Sequence, residues 1–137
     1  MSQQNVEIVR GLYSQWEKGN FWSAELELYA PDVEWHWSSA AKAVRGGAAS
    51  YKGLDDIGEA MREWVTEWGW WAISADELID AGDRVVVVRT IHASLKDGRG
   101  EVHERGADVI TLRDAKIFRI EVFDALDEAV EAAGMRK

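Results

Sequence analysis

Val6, Val9, Tyr13 and Trp16 recur at helical spacing, and Gly19-Asn20 follows them as a stop signal, so the chain is expected to open on an amphipathic helix. Residues 22–29 predict a second, short helix closed before Pro31, because proline drives the preceding residue out of the helical region. "DVEWHWS" alternates instead, with Val33, Trp35 and Trp37 on one side and Glu34 and His36 on the other, the two-residue period of a strand. Residues 38–53, "SSAAKAVRGGAASYKG", are small, Gly-rich and without period. They predict a long loop, of the kind that often serves as a lid or binding loop. A third helix follows, capped by Asp55 or Asp56, with Ile57, Met61, Trp64, Val65 and Trp68 as its apolar stripe.

From Trp70 onward the pattern is that of strands. "WWAISADELIDAGDRVVVVRTIHASL" reads as two strands joined at Ala81-Gly82-Asp83, and Asp97-Gly98 is a strong hairpin signal. Asp114-Ala115 is a weaker one, since alanine disfavours the positive φ of a two-residue turn. "DALDEAVEAAG" predicts a short terminal helix ending at Gly134. This order predicts one α+β domain over residues 1–137. A curved antiparallel sheet wraps around three helices from the N-terminal half, with a short C-terminal helix.

If both hairpin turns hold two residues, Arg89 pairs with Gly106 and Asp108 faces Glu121. One sheet face then carries Val87, Arg89, Ile91, Asp108, Ile110, Arg119, Glu121 and Phe123. The other carries Val86, Val88, Val109, Phe118, Ile120 and Val122. One residue more or less in a turn would exchange the faces. Two carboxylates inside apolar strands must be solvated, paired or used, because a buried unpaired charge is expensive. Contact between them pushes one pKa up, while the adjacent guanidinium pulls both down. Acid–base catalysis and a structural ion pair both fit that pattern.

Composition narrows the partners. The 137 residues carry 16 Lys and Arg against 25 Asp and Glu, a formal charge of −9, which argues against nucleic acid and anionic membranes. Without cysteine, disulfides, thiolate nucleophiles and Cys-based zinc sites drop out. "MSQQNVEIVRGLYSQW" has neither the basic patch nor the apolar run of a signal peptide, and no stretch approaches a membrane span, so a cytoplasmic protein is expected. Eight tryptophans are the compositional oddity.

"LYSQWEKGN", "YAPDVEWHW", "YKGLDDIGEAMREW", "IDAGDRVVVV" and "LRDAKIFRIEVFDALDEAVEAAG", in this order, resemble the SnoaL-like branch of the nuclear-transport-factor-two-like superfamily. The resemblance implies a cone: a curved sheet wrapped on helices around a deep pocket. The superfamily includes polyketide cyclases, ketosteroid isomerases and limonene-epoxide hydrolases, so the fold alone fixes no reaction. By that resemblance Asp108 sits where the isomerases keep the protonated Asp of their oxyanion hole. Leu12, rather than Tyr13, matches their oxyanion Tyr, and Trp37 stands in place of their proton-shuttling Asp. Arg89-Thr90 is similar to the Arg-Thr of a hydrolase strand, with Ile91 where the hydrolases have Asp. Glu121 falls near their water-activating carboxylate. Each established mechanism lacks a part, yet the resemblance implies that the Arg89, Asp108 and Glu121 face lies inside the cone.

The expectation is therefore an enzyme of cyclase, isomerase or hydrolase type acting on an apolar, ring-containing substrate. Asp108 serves as acid or oxyanion donor, Glu121 as base and Arg89 as their organiser, with no metal and no cofactor. Trp35, Trp37, Tyr13, Trp64, Trp68, Ile91 and Phe123 are expected to contact the ligand, with core filling as the alternative for the third-helix tryptophans. His92 and His103 pair across a hairpin near Glu101, and a surface or interface role is favoured over a metal. A binding protein without chemistry and a dimeric assembly module are the other readings. The apolar non-pocket face predicts a homodimer through it.

Overall fold

The computed structural model describes residues 2–18, 28–37, 50–59, 68–95, 100–123 and 125–134. Helix α1 (Ser2–Glu17) is followed by strands β1 (Tyr29–Trp37), β2 (Ser50–Lys52), β3 (Trp68–Asp80), β4 (Arg84–Leu95), β5 (Glu101–Arg113) and β6 (Lys116–Phe123), and by a C-terminal helix (Leu126–Ala132). A helical stretch at 54–59 lies between β2 and β3. The strands form one sheet in the order β2-β1-β6-β5-β4-β3. The architecture is α+β, as expected, but the sheet is mixed: β1 runs parallel to β6, and every other pairing is antiparallel.

Helix α1 presents Val9, Leu12, Tyr13 and Trp16 to the inner sheet face, where they join Val33, Trp35, Val85, Val87, Ile110, Ile120 and Val122 in the main core. On the opposite face the C-terminal helix lays Ala129 and Ala133 against Val86, Ala107 and Val109. Among the described residues the large hydrophobic side chain left exposed is Leu126, on that helix.

The β4–β5 register is the expected one, with Arg89 opposite Gly106 and Val87 opposite Asp108. The turn into β6 is also the expected two residues, Asp114 at φ 54° and Ala115 at φ 63°. Beyond it the expectation fails. Leu112 faces Ile117, but Thr111 faces Arg119, so Phe118 is an extra residue forming a β-bulge. Asp108 then faces Val122, and Glu121 faces Val109 on the other side of the sheet. Ile120 and Val122 turn inward, while Phe123 packs with the outer cluster. Burial supplies the reason. Ile117 and Ile120 are three apart, and a regular strand would put them on opposite faces. One inserted residue lets both reach the core, where each is 0% exposed. The displaced Phe118 ring lies under the guanidinium of Arg113, 4.0 Å from its centroid.

Smaller differences have local causes. Ser50–Lys52, expected within the loop, pairs with β1 through Glu34–His36. Trp68 begins β3 instead of ending the third helix. The helical stretch begins at Leu54 after Gly53 at φ 87°, so Asp55 and Asp56 occupy its first turn, where the helix dipole favours carboxylates. Tyr29 already belongs to β1, and the β1–β6 register shifts between Tyr29 and Glu34, across Pro31, which has no N–H to give the ladder. The expected helix at 22–29 falls, up to residue 27, outside the described residues. So do residues 38–49 of the expected loop and Met61, Trp64 and Val65. The apolar outer patch behind the expected dimer is reduced, since Ile120 and Val122 face inward and the C-terminal helix packs on Val86 and Val109.

Candidate active site

Arg89, Asp108 and Tyr13 bring polar groups together within the apolar inner face. β4 contributes Arg89 and β5 contributes Asp108, at 2% and 3% exposure, and α1 contributes Tyr13 at 1%. The Tyr13 hydroxyl donates to Asp108 Oδ2 at 2.5 Å. Arg89 Nε donates to Asp108 Oδ1 at 3.1 Å, and its Nη2 donates to the Phe123 carbonyl oxygen at 3.3 Å. Both carboxylate oxygens are thus occupied by donors. Arg89 Nη1 is buried and has no hydrogen-bond partner among the described residues. Such orphaned donors are rare, because burying an N–H without an acceptor costs about 1–3 kcal/mol.

The neighbours of Arg89 make room for its guanidinium. Across the sheet it sits between Ala75 on β3 and Gly106 on β5. A Cβ on Gly106 would fall 2.6 Å from Arg89 Nη1 and 2.7 Å from the Phe123 carbonyl oxygen, so glycine is required for the close approach. Burial, the largest influence on Arg89, works against its charge. The Asp108 carboxylate, Tyr13 and Glu104 more than offset it, and its pKa is raised. Burial, the charge of Asp108 and the hydrogen bond to it hold the Tyr13 hydroxyl protonated, with a pKa well above 10.0.

The expected site residues divide accordingly. Arg89 and Asp108 come together, and Tyr13, expected as a ligand contact, completes their network. Glu121 does not join it, because the bulge places it on the opposite face. Phe123 contributes a backbone oxygen, while its ring packs outside. Ile91 lies on the inner face at 9% exposure, and Trp35, at 4%, stacks on Trp16 with centroids 5.7 Å apart. The side chains of Trp37, Trp64 and Trp68 lie outside the described residues. Glu104, which is not among the expected site residues, stands opposite Ile91 on the face of Asp108, half-buried. Its even spacing from Asp108 was the available signal. For Tyr13 the signal was a hydroxyl on a buried helix stripe, which requires a partner.

The outer face holds further polar groups. His36 Nε2 lies 2.7 Å from Glu34, and Arg119 Nη2 lies 3.3 Å from it. The hydrogen bond with His36 is the main reason that the Glu34 pKa is lowered. His92 and His103 meet with their Nδ1 atoms 2.9 Å apart, and His92 Nε2 lies 3.0 Å from Ser74 Oγ. Among the described residues no group of three or more His, Asp or Glu could hold a metal ion, and no helix is long and apolar enough to cross a membrane.

Residues 9–120 match the profile of the SnoaL-like domain. The chain belongs to the SnoaL-like family. Among solved structures, TerC co-crystallised with polyporic acid superposes with a TM-score of 0.76 at 24% identity, covering 96% of this chain and 98% of that one. An NTF2-like protein of unknown function from Burkholderia pseudomallei gives 0.76 at 22% identity, covering 93% and 95%. A SnoaL-like polyketide cyclase, so described for Jannaschia sp., gives 0.72 at 17% identity, covering 99% and 94%. At these identities the likeness is one of fold. No curated protein matches the chain.

Proposed function

We propose that this SnoaL-like chain is a cofactor-independent enzyme of cyclase, isomerase or hydrolase type, acting on an apolar, ring-containing small molecule that carries a carbonyl oxygen. One observation carries the reading: Arg89 Nη1 is a buried donor without a partner among the described residues, held in an apolar face by the Tyr13–Asp108 network. A donor fixed before the ligand arrives stabilises negative charge developing on oxygen, and low polarity around it strengthens the effect. The main core supplies the apolar surroundings, and Trp35 and Ile91 belong to it. TerC, of the same fold, was co-crystallised with polyporic acid, which agrees with a small-molecule ligand.

The test compares 2-tetralone with tetralin, two ligands of nearly the same shape that differ in one carbonyl oxygen. Tryptophan fluorescence should report 2-tetralone binding about tenfold more tightly, the gain of roughly one satisfied hydrogen bond. The hydrophobic effect alone favours tetralin. Equal or tighter tetralin binding would remove Arg89 from ligand recognition. The non-catalytic binding reading is favoured by one feature, the placement of Glu121 away from Asp108. Deuterium incorporation into 2-tetralone in heavy water separates the two, since only an enzyme accelerates it.

A further inference from the structure

With Glu121 on the far face, proton transfer on the inner face requires another carboxylate, and β5 supplies one. Glu104 stands opposite Ile91, and the β4–β5 ladder runs from there to Asp108 without a register shift, so both carboxylates share one face. Gly106, which has no side chain to come between them, is the intervening residue on that face. Glu104 is half-buried where Asp108 is 3% exposed, which puts it on the more open part of the face. Among the described residues it makes no hydrogen bond or ion pair, while its charge acts on Arg89. Asp108 is the reverse case, with both oxygens already accepting from Tyr13 and Arg89. One carboxylate is committed and the other is free.

We propose that Glu104 is the proton-accepting carboxylate of this site, working beside the free Nη1 of Arg89 on a ring ketone. The inference rests on the proton-transfer reading above. Glu104 takes a proton from the carbon next to the carbonyl, and the C–H electron pair becomes the C=C bond of an enolate. The carbonyl oxygen takes up the negative charge, which Arg89 Nη1–H stabilises. Where the ring ketone carries a C=C conjugated with the enolate, return of that proton to the far carbon of the dienolate gives an isomer. Attack of the enolate carbon on a second carbonyl closes a ring, and the proton passes to the new alkoxide. No electrons enter or leave, so the step needs no co-reactant. Asp108 and Tyr13 act through Arg89 and are positioning residues.

Two measurements on the full chain test the assignment. In the first, 2-naphthoate serves as an anionic ring probe, read by tryptophan fluorescence. Glu104→Gln removes a negative charge beside the bound carboxylate and should tighten binding about tenfold, while Glu121→Gln, on the other face, should leave it unchanged. An unchanged affinity in Glu104→Gln would place Glu104 outside the site and overturn the proposal. In the second, deuterium exchange into 2-tetralone should fall at least a hundredfold in Glu104→Gln, with 2-tetralone binding retained and Glu121→Gln exchanging normally. Exchange persisting in Glu104→Gln overturns the Glu104 assignment alone. No exchange by the wild-type chain overturns the proton-transfer reading on which it rests.

Discussion

A carboxylate set between Val87 and Val122 must bring its own partners into the core, and Asp108 does so with Arg89 and Tyr13. Removing one member leaves the others buried and unsatisfied. Asp108→Asn strands the Arg89 charge and should cost about 3–5 kcal/mol. Tyr13→Phe removes one hydrogen bond to a charged acceptor and should cost roughly 1.5–3 kcal/mol. Urea unfolding of the two variants at neutral pH checks both values and their order. Tyr13 also sets an alkaline limit. The unfolded tyrosine loses its proton near 10.0, whereas the folded one keeps it to higher pH. Above that point the native state binds more protons than the unfolded state, so stability is full below it and falls as pH rises. In Tyr13→Phe that fall should be shallower, as urea midpoints measured on either side of pH 10 would report.

At the scale of elements, the β5–β6 hairpin decides which residues share the site. Its turn places Ala115 at φ 63°, where a Cβ is disfavoured by roughly 1–2 kcal/mol. Glycine would relieve that strain but gain entropy in the unfolded chain. The net expectation for Ala115→Gly is a stabilisation of about 0.5–1 kcal/mol, measured by thermal and urea unfolding. The turn is legible in "RDAK", and the bulge beside it departs from the regular ladder that the two-residue period predicts. Its trace was there, because Ile117 and Ile120 cannot both be core residues of a regular strand. That two-residue parity controls whether Glu121 meets Asp108, and a single extra residue separates them.

At the scale of the whole molecule, the outer sheet face differs from the apolar surface expected of it. The C-terminal helix covers Val86 and Val109, and polar contacts occupy other parts, among them Thr90 with Asp76 at 2.7 Å and the His92–His103 pair. We propose that a homodimer forming through this face is held by polar and charged groups. Light scattering at micromolar concentration should then give a dimer mass that falls toward the monomer in molar salt. A monomer mass at low salt would rule the dimer out.

The sequence by itself determined the α+β order, the first helix stripe, the β4–β5 register and the placing of Arg89 and Asp108 on one face. These follow from short-range rules: helical and two-residue periods, and turn residues that suit positive φ. Only the tertiary structure decided the rest. Tyr13 reaches Asp108 across 95 residues of chain, a pairing that no local spacing encodes. The parallel place of β1 beside β6 depends on how the chain crosses the sheet. The bulge at Phe118 arises because core burial of Ile117 and Ile120 outweighs a regular ladder. That long-range competition moved Glu121 to the outer face and left Glu104 as the inner face's free carboxylate among the described residues.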